Sequence, residues 1–161
     1  MAVRIRLAVA NDVELLWRWR NDPLVRQNSF NSDLITWAEH KVWYPKQFGS
    51  SDIRIYILEK DGKPLAQVRY ERRDHLLAEI GDISVDEGER GKGYGKSILI
   101  QTADLACKEL KVHKLLAVVK AGNLASERTF QSAGFNFHQQ ITKRGCVFHQ
   151  FIYICSDQTS R

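Results

Sequence analysis

Three glycines stand at alternate positions in Arg90-Gly91-Lys92-Gly93-Tyr94-Gly95, where a strand-like run gives way to helical spacing. The run before them is Glu79-Ile80-Gly81-Asp82-Ile83-Ser84-Val85, and Lys96-Ser97 follow them. Glycines so placed let backbone N–H groups close around a phosphate, because no Cβ blocks the approach and the helix dipole favours the anion. Two carboxylates, Glu79 and Asp82, lie on the strand that feeds the loop, and a carboxylate there could take a proton from a bound substrate. In a regular strand they point to opposite faces.

Two familiar phosphate loops do not fit. The triphosphate loop needs G-x-x-x-x-G-K-[ST]. Gly95-Lys96-Ser97 supplies its end, but its first glycine would fall at Arg90. The dinucleotide fingerprint G-x-G-x-x-G fails because the third glycine arrives one residue early, at Gly95.

The elements that must hold this loop read as one domain over residues 1–155 with a polar, frayed C-terminal tail over 156–161. Val3 to Ala8 alternates as a first strand. Asn11 with Glu14 reads as a capping box for a helix to Arg20, which Asn21-Asp22-Pro23 stops before a polar stretch to Asn31. Thr36 with Glu39 reads as a second box, for a helix bearing Trp37, His40 and Trp43 that Pro45 should end. Ile53 to Lys60 and Leu65 to Arg73 read as a hairpin about Asp61-Gly62, and Leu77 to Val85 as the next strand. A helix from Gly93 to Leu110, a strand from Lys114 to Val119, a helix capped by Asn123 and stopped by Gly134, and a final hairpin about Lys143-Arg144-Gly145 complete the chain. The order βααβββαβαββ predicts an α/β (α+β) domain with one mixed, mostly antiparallel central sheet flanked by helices.

Composition narrows the partners. With 43% hydrophobic and 27% charged residues in 161, the chain is an ordinary globular one. No apolar run approaches the roughly 20 residues that cross a bilayer, and the alternating N-terminus with Arg4 and Arg6 lacks a signal-peptide core, so no membrane role is expected. Cys107, Cys146 and Cys155 are odd in number and scattered; they predict free thiols in a reducing, cytoplasmic compartment, with neither disulfide nor metal site. A net charge of +5 suits a small anionic ligand, but the basic residues form no stripe, which argues against nucleic acid.

Arg90-Gly91-Lys92-Gly93-Tyr94-Gly95 fits [QR]-x-x-G-x-[GA] and resembles the acyl-coenzyme A loop of the Gcn5-related N-acetyltransferase (GNAT) superfamily. A second segment agrees: Asn123-Leu124-Ala125-Ser126, then Thr129-Phe130-Gln131-Ser132-Ala133-Gly134-Phe135, looks like that family's N-x-x-[SA]-x-x-x-[LI]-Y-x-x-x-G-F. The resemblance implies a GNAT-like fold with two splayed strands, acetyl-coenzyme A as co-substrate, no metal, and direct transfer of acetyl to a primary amine. It implies main-chain contacts from Ile83, Ser84 and Val85 to the pantetheine arm, and enclosure of the pyrophosphate by Arg90, Gly91, Lys92, Gly93, Tyr94 and Gly95. Lys96 and Ser97 would stand by the phosphates, and Asn123, Ser126 and Phe130 would line the cofactor from the later helix. Counted back from the loop, Glu79 falls where the histone-acetylating branch carries its base, with Asp82, His75 and His40 as rivals. Phe130 stands where many members carry the tyrosine that protonates the departing thiolate. Solvent, the amine's own proton, Ser126, Tyr94 or Tyr153 would then have to serve.

The arrangement Arg20-Asn21-Asp22-Pro23-Leu24-Val25-Arg26, with Ser29, Trp37, His40 and Trp43 beyond, resembles acetyltransferases of nucleotide-linked amino sugars in surface-glycan synthesis, the pseudaminic-acid type among them. It implies a small-molecule amine, a nucleotide-sugar, bound by Arg20, Asn21, Arg26, Ser29, Trp37 and His40. Aromatic faces would stack on its rings and an arginine would meet its diphosphate. Protein acetylation is the enzymatic alternative, and a non-catalytic acyl-coenzyme A-binding module is the other. Oligomeric state is left open, a homodimer included.

Overall fold

The computed structural model describes residues 2–29 and 33–156. Its seven strands form one sheet in the order β1-β2-β3-β4-β5-β7-β6. They are β1 (Arg4–Leu7), β2 (Ile53–Lys60), β3 (Lys63–Arg72), β4 (Leu77–Val85), β5 (Lys114–Lys120), β6 (Asn136–Lys143) and β7 (Cys146–Ile154). Every neighbouring pair is antiparallel except β4 and β5. The helices are α1 (Val13–Arg20), α2 (Pro23–Gln27), α3 (Trp37–Phe48), α4 (Tyr94–Leu110) and α5 (Leu124–Ser132). This is the α/β arrangement the sequence predicts, with one more helix.

Alternation along the strands divides the core between the two faces of the sheet. One face presents Tyr56, Leu58, Val68, Tyr70, Ala78 and Ile80 to the apolar side of α4, where Ile98, Leu99, Ala103 and Ala106 are buried. On the other face Leu16, Trp19 and Tyr44 from α1 and α3 pack on Ile55. Ionic contacts close the β1 corner: Arg6 reaches both Asp12 (2.8 Å) and Glu59 (2.9 Å).

Several sequence expectations need correction. Asn11 does not cap α1. It lies in a 3-10 turn over Ala10–Asp12, where Asp12 turns its carboxylate to the Val9 N–H (2.7 Å) and to Arg6. Asp22 stops α1 and also starts α2, its Oδ1 accepting from the Leu24 and Val25 N–H groups, so helix replaces much of the expected polar stretch. The end of that stretch, residues 30 and 31, lies outside the described residues. The Thr36–Glu39 capping box is present in both directions. Pro45 does not end α3: the helix continues to Phe48. The proline sits on the exposed side, where water can meet the carbonyl it leaves unbonded, while Tyr44 and Gln47 are buried on the other side and hold the turn. Cys107 and Cys155 are not free thiols. They form a disulfide between α4 and the end of β7 (Cα–Cα 6.0 Å), and Cys146 alone is free. Ser156, expected to fray, is tied to Asp104 through its N–H and hydroxyl, and residues 157–161 lie outside the described ones.

Candidate active site

The parallel pair is short. β4 and β5 match only at Leu77–Lys114, Ala78–Leu115 and Glu79–Leu116, although β4 continues to Val85 and β5 to Lys120. Beyond Glu79 the two strands splay, which leaves main-chain groups on both facing edges without ladder partners. Ile83, Ser84 and Val85 lie on this open stretch and pair only on their other side, with Val68, Gln67 and Ala66 of β3.

β4 leaves the slot through a 3-10 turn over Glu87–Glu89 into the glycine loop. Gly91 (φ +78°) and Gly93 (φ +85°) adopt the left-handed conformation that side-chain-bearing residues avoid. Gly93 is the N-cap of α4 and no side chain caps the helix, so the amides of Tyr94, Gly95 and Lys96 open the helix without intrahelical acceptors. Gly95 is needed for a different reason. A Cβ there would stand 3.3 Å from Thr129 Cγ2 and 3.7 Å from Val85 Cγ2, so the glycine lets α4 meet α5 and β4 closely. Lys92 pairs with Glu89 (2.9 Å), which also holds Lys63 (2.8 Å); these lysines and Tyr94 border an open hollow of about 380 Å³ beside the loop.

The carboxylates depart from the regular-strand expectation. Arg69 opposes Asp82 whereas Tyr70 opposes Ile80, so Gly81 is an extra residue that bulges β4. The bulge reverses the alternation and brings Glu79, Asp82 and Ser84 to one face, the face of α1 and α3. Gly81 lies so close to Arg69 that a Cβ would stand 2.5 Å from its Nη1. Glu79 accepts from Arg73 Nε (2.9 Å), and Arg73 also bridges to Glu71 (3.3 Å). Asp82 meets its cation at longer range, with Arg20 Nε 3.8 Å away. Burial drives the Asp82 carboxyl above its usual range, against the opposing pull of Arg20 and Arg69.

Asp82 borders a narrow cleft with Arg20, His40, Trp43, Gln67 and Arg69 that encloses about 10 Å³. The guanidinium groups of Arg20 and Arg69 lie 4.7 and 5.5 Å from the centre of the Trp43 ring. Gln47 and Glu71 hold Arg69 in place. His40 is fully buried; its Nε2 donates to the Val13 carbonyl (2.8 Å), and burial lowers its pKa, with the Arg20 charge acting the same way. Its Nδ1 has no partner among the described residues.

The other expected acceptor residues do not line this cleft and are engaged locally. Asn21 clamps the Ile35 backbone through both ends of its amide (2.7 and 2.8 Å). Arg26 Nε donates to the Asn21 carbonyl, and the Ser29 hydroxyl to the Val25 carbonyl. Trp37, 38% exposed, meets Trp17 edge to face at 5.3 Å. On the cofactor side, Asn123 caps α5 by accepting from the Ser126 N–H and donates to the Ser126 hydroxyl. Phe130 is only 4% exposed and packs against Phe135. Tyr153 gives its hydroxyl to Asp104 (2.8 Å), and Tyr94 faces the hollow beside Lys60 and Lys63. His75 is exposed beyond β3. A contact the sequence does not signal links α5 to β7: His149 Nδ1 meets Glu127 at 2.8 Å.

The acetyltransferase (GNAT) family model matches residues 14–135. Uncharacterized protein MJ1062 of Methanocaldococcus jannaschii is 28% identical over 145 residues, which is 88% of this chain. The chain spans 28% of the length of that curated relative. Among solved structures, the fold is similar to spermidine N-acetyltransferase from Vibrio cholerae in complex with CoA and spermine (TM-score 0.83, 17% identity, 94% of this chain and 95% of that one). It is also similar to yncA, a putative acetyltransferase from Salmonella typhimurium with acetyl-CoA (0.81, 17%, 99% and 98%). Aminoglycoside acetyltransferase AAC(6')-Ib with coenzyme A and kanamycin is a third (0.77, 19%, 95% of each chain).

Proposed function

This chain belongs to the acetyltransferase (GNAT) family, and we propose that it transfers the acetyl group of acetyl-coenzyme A directly to the primary amine of a small molecule. The observation that carries the reading is the slot between β4 and β5, closed for three residue pairs and then open as far as a left-handed glycine loop at the start of a 17-residue helix. The pantetheine amides complete the unpaired edges at Ile83 to Val85, and the amides from Arg90 to Gly95 receive the pyrophosphate. Lys96 and Ser97 stand at the helix start beside it, with Asn123 and Ser126 on the α5 side. No metal enters this chemistry.

An ammonium ion has no lone pair, so the amine must lose a proton before it attacks the thioester. Glu79, where the splay begins, is the proposed base. It exchanges Arg73 for the incoming amine. The bulge at Gly81 favours a second reading, in which Asp82, further along the open stretch and on the same face, takes the proton. The thiolate leaves toward Ser126 and solvent; the buried Phe130 contributes shape and no proton.

For the acceptor we infer a nucleotide-linked amino sugar, supported by Arg20 stacked on Trp43 beside the carboxylates. Spermine and kanamycin, bound by the enzymes of similar fold, are polycations without such a phosphate. The cytoplasmic location expected from free thiols loses that ground with the Cys107–Cys155 disulfide, which suits an oxidising compartment better. A thiol-release assay with acetyl-coenzyme A and a panel of amino-sugar nucleotides, polyamines, aminoglycosides and peptides tests the whole reading. Turnover with the nucleotides is expected. Turnover with peptides alone would make the protein a protein acetyltransferase, and binding of coenzyme A without turnover a regulatory module.

A further inference from the structure

Three side-chain contacts tie the α1–α2 segment to the two walls of the slot. Trp19 donates its indole N–H to Asp86 (3.0 Å), just past β4. Arg90, in the glycine loop, grips Asp22 Oδ1 at 2.8 Å. Lys120, the last residue of β5, donates to the Gln27 carbonyl at 3.0 Å. The short helix α2 is thus held at its first turn by the segment after β4 and at its last residue by the end of β5. These are the strands that do not pair here, so α2 bridges the open end of the splay.

The Arg90 tie is the best built. Asp22 Oδ1 is also the cap of α2, accepting from the Leu24 and Val25 N–H groups. Burial works against its charge, yet the hydrogen bonds from Arg90, Val25 and Leu24 hold the Asp22 carboxyl below the usual range. The guanidinium is therefore committed to a carboxylate that stays ionised. We propose that Arg90 and Lys120 are positioning residues that hang α2 across the slot and fix the acceptor side, and that the Arg90 side chain is not a phosphate ligand. This rests on the reading of the slot as the acyl-coenzyme A site, and it assigns the loop two tasks: main-chain amides for the cofactor and one side chain for the acceptor wall.

The test compares Asp22→Asn with Arg90→Gln. Asparagine still caps a helix, so Asp22→Asn removes the ion pair and keeps the cap. Both variants should speed amide hydrogen exchange at Leu24 to Gln27 by a similar factor, about tenfold. Both should raise the acceptor KM by about tenfold with kcat within about threefold, and the double variant should be no worse than either single one. Coenzyme A affinity by calorimetry should move less than about threefold in both. Lys120→Met should loosen exchange at Gln27 and Asn28 in the same way. If Arg90→Gln weakens coenzyme A tenfold or more while Asp22→Asn does not, the side chain is a phosphate ligand and the proposal falls. Unchanged exchange in Asp22→Asn overturns it equally. A wild-type protein that fails to bind coenzyme A refutes the slot reading instead, and the exchange measurement still reports on the ties.

Discussion

Changing Glu79 to glutamine removes the proposed base and keeps the shape of the side chain. A positioned base contributes about 10²–10⁴ in rate, equivalent to roughly 2.7–5.5 kcal/mol. Against this, Glu79 must first give up Arg73. The two side chains are 23% and 46% exposed, so the pair is worth at most about 1 kcal/mol, or roughly a fivefold change in rate. The proton transfer therefore dominates. Glu79→Gln should lower kcat at neutral pH by at least about 100-fold, whereas Arg73→Gln should alter it by less than about fivefold. Calorimetry should find coenzyme A bound equally well by all three proteins. Asp82→Asn provides the internal control. Its folded pKa is raised, so the ionised carboxylate weakens the fold as pH rises, and the stability it allows is complete only below the ordinary carboxyl range. The amide should accordingly raise the melting temperature at pH 7 and make little difference at pH 3, with a loss of kcat below about tenfold. A 100-fold loss in Asp82→Asn beside normal turnover in Glu79→Gln would move the base one bulge along the strand. Normal turnover in both would refute carboxylate catalysis here.

The remaining expectations concern the frame around that chemistry. Gly93→Ala forces a side-chain-bearing residue to the left-handed φ of +85° and should cost about 1–2 kcal/mol, read by denaturant melts. Gly95→Val drives a branched side chain between Thr129 and Val85, costing about 1–3 kcal/mol, and should cut coenzyme A affinity on calorimetry because α4 must move. Protein purified without reductant should titrate with one accessible thiol, Cys146. Closing a 48-residue separation gives the Cys107–Cys155 bridge about 4 kcal/mol by chain entropy, so Cys155→Ala should lower the melting temperature by roughly 8–16 °C; three titratable thiols in protein denatured without reductant would contradict the bridge. Burial opposes ionisation of Asp12, but hydrogen bonds from Arg6 and Val9 hold its carboxyl low, and hydrogen bonds from Arg6 and Arg4 do so for Glu59. Because both folded values lie below the unfolded ones, this stability is present above about pH 4 and drains away as pH falls through the depressed values. Arg6→Met should cost about 3 kcal/mol at pH 7 and flatten that acid limb in pH-dependent melts.

Where one local signal decides the geometry, the sequence is a good guide. Asp61-Gly62 makes the β2–β3 turn with both φ values positive, and Thr36–Glu39 caps α3 in both directions. The glycine loop is legible for the same reason, since left-handed residues at a helix start are a backbone requirement that only glycine meets cheaply. Misreadings arise where a local preference is outvoted from a distance. Pro45 disfavours helix by itself, but burial of Tyr44 and Gln47 holds the turn together. Cys107 and Cys155 are 48 residues apart in sequence, and only the packing of α4 against the end of β7 makes them neighbours.

The bulge is the most consequential case. The only local hint in Glu79-Ile80-Gly81-Asp82 is the isolated glycine, which in a strand suggests a bulge; whether the alternation breaks is decided by the partner strand. The partner is β3, whose Arg69 is fixed by Gln47 and Glu71 and occupies the space a Cβ on residue 81 would need. A glycine with that neighbour lets β4 slip by one residue and turns Asp82 to the side of Glu79. The same chain then presents two half-buried carboxylates to one face of the sheet, one braced by Arg73 at 2.9 Å, the other 3.8 Å from Arg20 and disfavoured in its charged form by desolvation. Which of the two takes the proton then depends on where along the strand the amine arrives, and the rates of Glu79→Gln and Asp82→Asn separate them.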